Sequence, residues 1–290
     1  MYVVAGIGGH TGGAAAQWLL EGGHPVTGIT RSAEKADYWK AKGAEIARID
    51  LKDKAALRDT LSGAEGAYLL VPPQYHSNDY IQDSRRLAET MANAAAASGI
   101  AHVVLLSSVG AQFDSGTGLI LSLHNAEEAF SRAAKALTVV RAAYFMENWA
   151  ASFESVRNQG VLPSFFPASR KIPMIATADI GRVAAESLLN PTRGLRFIEL
   201  AGPADYSPTD IAGALAGILN RDVKVAEAPL SAIVPTFTSF GFTEDVARLF
   251  EEMYAGILSG HIDFSGAGAE LHHGELTPAH VFEQLLQHTR

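Results

Sequence analysis

Short apolar runs alternate with longer amphipathic stretches along most of the chain. The apolar runs predict strands over Tyr2 to Ala5, Pro25 to Thr30, Ala44 to Ile49, Gly66 to Val71, His102 to Leu106 and Leu137 to Ala142. Helical spacing between the runs predicts helices over Ala14 to Leu20, Ser32 to Lys42, Asn78 to Ser98 and about Leu121 to Ala134. Because strands and helices alternate, we predict an α/β fold with a doubly wound parallel sheet.

The pattern changes in the C-terminal part of the chain. Asp179 caps a predicted helix that ends at Leu189, and Phe197 to Ala201 is predicted to be the edge strand of the sheet. We predict a large lobe formed by 1–150 and 177–202, and a smaller C-terminal α/β lobe formed by 151–176 and 203–290. In the smaller lobe a helix capped by Thr243 has one apolar face, which fits either core packing or a substrate lid.

Glycines cluster directly after the first predicted strand. Gly6, Gly9 and Gly12 are evenly spaced, and Gly8 completes a second pair with Gly6. Such a turn lets the backbone N–H groups at the start of the following helix approach a pyrophosphate. We therefore predict a Rossmann-like dinucleotide site, whose phosphate-binding turn consists of Gly6, Gly8, Gly9, His10, Thr11 and Gly12. The alternative is a glycine-rich turn that binds nothing.

The second predicted strand leads into Arg31, at a position where NAD-binding domains usually carry an acidic residue. A guanidinium binds a ribose 2′-phosphate through charge-assisted hydrogen bonds, and Lys35 is placed to assist it. We predict that the cofactor is NADP(H) in preference to NAD(H). The alternative is that Arg31 is a solvated residue at a strand end.

Further cofactor contacts are expected where the other predicted strands end. The carboxyl ends of parallel strands lie at one edge of the sheet, and ligands bind in the crevice outside that edge. The residues predicted to bind cofactor there are Asp50, Leu51, Val71, Pro72, Pro73, Ser107 and Tyr144.

Composition and net charge exclude several kinds of binding partner and metal site. The chain has 290 residues, 48% of them hydrophobic and 19% charged, which is ample material for a large core. A net charge of −8 argues against nucleic-acid binding, and the lack of cysteine excludes disulfides and thiolate metal sites. We predict no metal site and expect His272 and His273 to be surface or capping residues. Because no apolar run is long enough to span a membrane and a strand begins at Tyr2, we expect a cytoplasmic protein.

Several short motifs resemble those of the NmrA-like family of atypical short-chain dehydrogenases. The resemblance runs from Met1 to about Gly202, more weakly beyond, and rests on Gly6-x-x-Gly9-x-Thr11-Gly12, Arg31, Asp50-Leu51, Ser107-Ser108, Glu127, Thr138 to Arg141, Phe145-Met146-Glu147-Asn148 and Asp179-Ile180-Gly181. Within that family the chain is most similar to bacterial NADPH-dependent quinone and triphenylmethane-dye reductases. The family also contains redox-sensing regulators that bind NADP without catalysis, so membership implies the cofactor but leaves function open.

The chain lacks the catalytic tyrosine that acts as the proton donor in typical short-chain dehydrogenases. Those enzymes use a Tyr-x-x-x-Lys pair on the helix after the fifth strand, and this chain has no tyrosine between Tyr80 and Tyr144. Tyr38 and Lys42 have the right spacing but lie on the helix after the second strand. We predict His124 and Ser108 as the catalytic candidates, with a satisfied helix histidine as the equal alternative for His124.

Aromatic residues suggest where an acceptor binds. The residues predicted to bind substrate are Tyr75, Phe145, Asn148, Trp149, Phe237 and Phe242. For the segment Ala143 to Ala150, hinge packing between lobes fits equally well. We predict an NADPH-dependent reductase of an electron-poor apolar small molecule, quinone-like or dye-like, because such an acceptor takes hydride without a tyrosine acid. A non-catalytic NADP(H)-sensing regulator is the alternative, and the oligomeric state is left open.

Overall fold

A computed structural model of the protein describes residues 1–266 and 268–287. Its strands are β1 Tyr2–Ala5, β2 Val26–Ile29, β3 Glu45–Ala47, β4 Gly66–Leu69, β5 Val103–Ser108, β6 Ala136–Ala142, β7 Tyr144–Phe145, β8 Val161–Ser164, β9 Ile172–Ile175, β10 Gly194–Ala201, β11 Asp205–Tyr206, β12 Lys224–Glu227 and β13 Glu270–His273. Its α-helices are α1 His10–Glu21, α2 Ala33–Ala41, α3 Lys54–Leu61, α4 Tyr80–Ser98, α5 Leu121–Ala133, α6 Phe153–Gln159, α7 Thr177–Leu189, α8 Pro208–Leu219, α9 Ile233–Ser239, α10 Glu244–Ser259 and α11 Pro278–Gln287.

Eight strands form a parallel sheet in the order β13-β10-β6-β5-β4-β1-β2-β3. Strand β1 is central and pairs with both β2 and β4, so the order of the strands reverses there. In a doubly wound sheet the ligand crevice opens at such a reversal. The predicted α/β, Rossmann-like architecture is confirmed.

The prediction that Phe197 to Ala201 is an edge strand is wrong. Strand β10 is hydrogen-bonded on both sides, to β6 and to β13. The actual edge strand, Glu270–His273, is mostly exposed and polar. An edge strand of this kind has no continuous apolar run, which is why the hydrophobic pattern did not reveal it.

Two apolar cores cover the faces of the sheet, because alternate residues of each strand point to opposite sides. Val3 and Leu105 face a core that includes Leu57, Met91 and Phe130 of α3, α4 and α5. On the opposite face lies a second core, which includes Val4, Val104, Leu19, Trp39, Ile180 and Leu188. The helices α1 and α7 on this second face begin at the crevice edge of the sheet.

A third core lies outside the large sheet. It packs two small sheets, ordered β11-β9-β7 and β12-β8, against α8, α10 and α11. Phe166, Tyr254 and Phe282 are among its buried side chains. The division into two lobes stays a prediction, and one strand of the predicted smaller lobe, β13, joins the sheet of the large lobe.

Helix starts follow the capping signals of the sequence. Ser207 and Asp210 form a capping box at the start of α8, and the Thr243 hydroxyl accepts a hydrogen bond from Val246 N–H at the start of α10. Helix α1 begins at His10, earlier than predicted, with Gly9 as its N-cap residue. The glycine turn is therefore shorter than the sequence indicated, and His10 and Thr11 belong to the first helical turn.

Close packing of α1 on α7 fixes where the crevice begins. A Cβ added at Gly181 would lie 2.4 Å from Ala14 Cβ and 2.6 Å from the Ala15 nitrogen. Only glycine fits at this position without separating the two helices.

We expect Gly181→Ala to lower the free energy of unfolding by about 1 to 3 kcal/mol through overpacking. The matched control is Gly213→Ala in α8, where an added Cβ meets nothing within 4 Å, and which should be neutral or stabilising by up to about 1 kcal/mol. Urea unfolding of both variants checks this. A Gly181→Ala protein as stable as wild type would contradict the described packing.

Candidate active site

The glycine turn presents an uncapped helix N-terminus at the crevice. Gly6 has φ of +64°, and Gly9 N–H donates to the Gly6 carbonyl at 2.8 Å, which closes the turn. No side chain caps α1, so N–H groups of its first turn are available to an anion. A Cβ at Gly12 would lie 2.5 Å from the Gly6 oxygen, so glycine is required there. These features fit the phosphates of a dinucleotide.

Arg31 and Lys35 lie beside this turn. The Lys35 side chain covers Gly8, since a Cβ built on Gly8 would lie 3.0 Å from Lys35 Cγ. Arg31 is 78% exposed, and its Nη1 is 3.8 Å from Asp50 Oδ2. Such a loose, exposed ion pair contributes little and leaves the guanidinium available to a phosphate. Lys35 therefore lies against the glycine turn and Arg31 lies near Asp50, and their binding of a ribose 2′-phosphate stays a prediction.

The residues after β4 and β5 are oriented differently from one another. Val71 is buried after β4, and Leu70 packs over Gly6, where a Cβ would lie 3.2 Å from Leu70 Cδ2. The Ser107 hydroxyl is buried and donates to Glu127 Oε1 at 2.6 Å. Ser107 therefore has only its main chain to offer a cofactor. Ser108 points to the opposite face of β5, is half-buried, and donates to the Val109 carbonyl at 3.0 Å.

A buried charge network lies beneath this edge. Arg141 Nε and Nη2 donate to the two oxygens of Glu127 at 2.9 and 2.6 Å, and Arg141 Nη1 is 4.0 Å from Glu199 Oε1. Glu199 also accepts a hydrogen bond from Ser265 N–H at 2.7 Å. The network ties α5, β6, β10 and the segment after α10 together. Sequence reasoning assigned it no role, because its members are far apart in the chain.

His124 lies on α5 next to the loop that follows β5. Its Nδ1–H donates to the Ala111 carbonyl at 2.9 Å, since a carbonyl can only accept. The other ring nitrogen, Nε2, is 3.9 Å from Glu128 Oε1. Only Nε2 is available for chemistry, and the catalytic role of His124 stays a prediction.

An aromatic wall connects the loop after β4 with the end of β6. We define the wall as Tyr75, Tyr144, Phe165, Phe166, Phe237, Phe242, Phe250 and Tyr254. Tyr75 stacks on Phe242 at 4.7 Å between ring centroids, and Phe237 stacks on Phe250 at 4.3 Å. The structure thus brings Tyr75, Phe237 and Phe242 together as one surface.

Four members of the wall were not predicted as site residues. Phe250 and Tyr254 have helical spacing on α10 and were assigned to core or lid, while Phe165 and Phe166 follow β8. Their signal in the sequence is weak, because an apolar helix face looks the same whether it meets a core or a ligand.

Hydrogen bonds hold one end of the wall to the β4 loop. Thr243 N–H donates to the Tyr75 carbonyl at 3.3 Å, and its hydroxyl donates to the Ser77 carbonyl at 2.5 Å. Tyr80 N–H, in the first turn of α4, donates to Asp245 Oδ2 at 2.9 Å. The start of α10 is therefore anchored to the loop that follows β4.

Some side chains of the segment after β6 pack in the protein cores, and others are exposed. Phe145 packs against the core that contains α1 and α7, whereas Trp149 is buried in the third core and its Nε1 has no hydrogen-bond partner in the described structure. Tyr144 meets Trp149 with centroids 6.3 Å apart. Asn148 is exposed and hydrogen-bonds the Tyr144 hydroxyl. The roles of Phe145, Asn148 and Trp149 toward substrate stay predictions.

Glu147 links this segment to α7. Thr177 donates to Glu147 Oε1 through both its N–H and its hydroxyl, at 2.8 and 2.6 Å. Burial raises the pKa of Glu147. The hydrogen bonds from Thr177, and the electrostatic effect of nearby His10, act in the opposite direction. Glu147 therefore holds the start of α7 close to the glycine turn.

Within the described residues no group of three or more histidine, aspartate or glutamate side chains could hold a metal ion. His273 Nδ1 donates to the Gly202 carbonyl at 2.9 Å, and His272 Nε2 lies 3.3 Å from Glu270. A search of the described helices also finds none long and apolar enough to cross a membrane.

Comparisons with known proteins identify the family of the chain and proteins of similar fold. The model of the NmrA-like family matches residues 2–267. An NAD(P)H azoreductase of Xenophilus azovorans is 25% identical over 256 residues, which are 88% of this chain and 86% of that protein.

Solved structures show the same fold. An NADPH-dependent quinone oxidoreductase of Escherichia coli, complexed with NADPH, superposes with a TM-score of 0.80 at 23% identity and covers 99% of this chain and all of its own. A triphenylmethane reductase of Citrobacter sp., complexed with NADP(H), has a TM-score of 0.78 at 16% identity and covers 97% of this chain and 99% of its own. At these identities the likeness concerns the fold alone.

We expect Arg31→Ala to weaken NADPH binding at least about tenfold while NADH binding changes little, because the lost interaction is a charge-assisted hydrogen bond to the 2′-phosphate. Fluorescence titration with both cofactors measures this. Arg58→Ala, an exposed arginine of α3 paired with Asp59, is the matched control. Unchanged NADPH affinity in the Arg31 variant would show that another group selects the cofactor.

Proposed function

The chain belongs to the NmrA-like family, and from this premise we propose that it is an NADPH-dependent oxidoreductase that transfers hydride to an electron-poor, largely apolar acceptor, quinone-like or dye-like. The observation that carries the proposal is the aromatic wall, which begins at Tyr75 in the loop after β4. Strand β4 is the neighbour of β1, which leads into the uncapped glycine turn. A flat conjugated acceptor matches such a surface in shape and polarity.

The residues that would hold the cofactor come from three neighbouring strand ends. The first turn of α1 would bind the pyrophosphate, and Arg31 with Lys35 would bind the 2′-phosphate. Val71 and the two prolines that follow β4 would form an apolar side of the crevice. When bound, the cofactor supplies a hydride from its reduced nicotinamide.

Polar side chains of β5 and α5 are engaged in structural hydrogen bonds. Ser107 is committed to Glu127, and one nitrogen of His124 is committed to a main-chain carbonyl. An acceptor that gives a stabilised anion, or that is itself a cation, does not require a proton as hydride arrives. The contribution of the chain is then to orient the acceptor and to exclude water, which rigid aromatic side chains do well.

The acceptor class can be measured directly. With NADPH, we expect turnover of quinones, triarylmethane dyes or azo dyes, and much slower turnover of simple ketones, which need a strong acid. The assay follows loss of reduced-nicotinamide absorbance across this panel.

Two outcomes would change the proposal. Turnover of ketones without turnover of quinones or dyes would contradict the hydride-first argument. Tight NADPH binding with no turnover of any acceptor would favour the NADP(H)-sensing regulator instead.

We expect His124→Ala to lower the quinone rate by less than about a hundredfold, which is below the usual loss for a general acid. His124→Asn serves as the matched variant, because its amide N–H2 can replace Nδ1–H in the bond to the Ala111 carbonyl. If His124 acts only by holding the loop after β5 through Ala111, the His124→Asn variant should keep the wild-type quinone rate. A larger loss in both variants would identify His124 as a true acid.

A further inference from the structure

We propose that the paired phenols of Tyr144 and Tyr254 donate a hydrogen bond to the acceptor oxygen that gains negative charge on reduction, and so favour carbonyl acceptors such as quinones over cationic dyes. The inference rests on the proposed function and narrows its substrate class. The tyrosine acid of typical short-chain dehydrogenases lies on the helix after the fifth strand, whereas these phenols come from β7 and α10.

The position of Tyr144 follows from the register of the two middle strands. Ala142 of β6 pairs with Ser108 of β5, and Val109 N–H donates to the Ala142 carbonyl at 3.0 Å. Tyr144 follows Ala142 by two residues, so its backbone lies just beyond the ends of these strands. This is the edge at which doubly wound sheets bind their ligands.

Tyr254 of α10 meets Tyr144 at this position. Its hydroxyl oxygen is 3.4 Å from that of Tyr144, and both rings pack against Phe166. Helix α10 also carries Phe250, which packs on Phe237 and Tyr75. The phenol pair therefore belongs to the same aromatic wall that is proposed to hold the acceptor.

The two phenols are protonated at physiological pH. Burial is the main cause that raises the pKa of Tyr144 and of Tyr254, and the neighbouring phenol raises that of Tyr254 further. The two phenols carry one hydroxyl proton each, and the hydrogen bond between their oxygens uses only one of these protons. The other proton is left for a ligand oxygen.

Such a donor has a specific electrostatic effect. It is held in place by packing and stands among phenylalanine rings, so it is oriented before the charge develops. A reduced quinone carries negative charge on oxygen and gains from this donor. A triarylmethane cation becomes neutral when it accepts hydride at carbon, and it has no such oxygen to gain.

The first test is the ratio of quinone to triarylmethane-dye turnover. We expect Tyr144→Phe and Tyr254→Phe each to lower this ratio at least about tenfold, in line with the loss of one oxyanion donor. The matched control is Tyr206→Phe, which removes a partly buried phenol of β11 outside the wall and should leave the ratio within about twofold of wild type. A purely structural role for the pair would lower both rates together and leave the ratio unchanged, which would overturn the inference.

The second test needs no turnover. Binding of a nitrophenolate anion, which mimics charge on a ring oxygen, is compared with binding of neutral nitrobenzene by tryptophan fluorescence quenching. We expect Tyr144→Phe to weaken nitrophenolate binding about tenfold with nitrobenzene affinity changed much less. Equal losses for both probes, or no nitrophenolate binding to wild type, would overturn the inference. A wild-type protein that binds the anion through these phenols but reduces no acceptor would contradict the proposed function alone.

Discussion

The close approach of α1 to the end of β1 is the constraint on which the rest of the site depends. Gly12 lies so near the Gly6 carbonyl that a side chain cannot be accommodated, and Gly181 lets α7 pack directly on α1. The uncapped start of α1 is thereby fixed at the reversal point of the sheet. Every other proposed contact, from Arg31 to the aromatic wall, is arranged around this turn at the carboxyl ends of the parallel strands.

The acceptor side of the crevice is assembled from distant parts of the chain. The start of α10 is bonded to the loop after β4 through Thr243 and Asp245, while Tyr254 meets the end of β6 further along the same helix. The buried network of Glu127, Arg141 and Glu199 joins α5, β6 and β10 underneath. These polar groups hold the elements together, and the aromatic side chains of the wall are those that we propose to meet a conjugated acceptor.

The sequence predicted those features that depend on local pattern. Strand and helix alternation predicted the parallel sheet that the structure has. Glycine spacing and Arg31 predict a dinucleotide site of the NADP(H) type, and the structure shows the tight turn that such a site requires. Features that depend on contacts between distant residues could not be predicted from local sequence patterns. Strand β13 is polar because it is an exposed edge, and Tyr144 meets Tyr254 across more than a hundred residues of sequence. Ser107 has the right position for a cofactor contact, yet its hydroxyl is turned to Glu127, which only the packing of α5 determines.

Direct hydride transfer in a site that excludes water is the central claim, and isotope tracing tests it most directly. The protein is mixed with a triarylmethane dye and NADPH carrying deuterium at the transferable position of C4, and the reduced dye is analysed by mass spectrometry. Direct transfer predicts one deuterium at the central carbon of the dye, and none when unlabelled NADPH is used in deuterated water. Deuterium acquired from the solvent, or a dye that stays oxidised along with every quinone and azo dye tried, would contradict it.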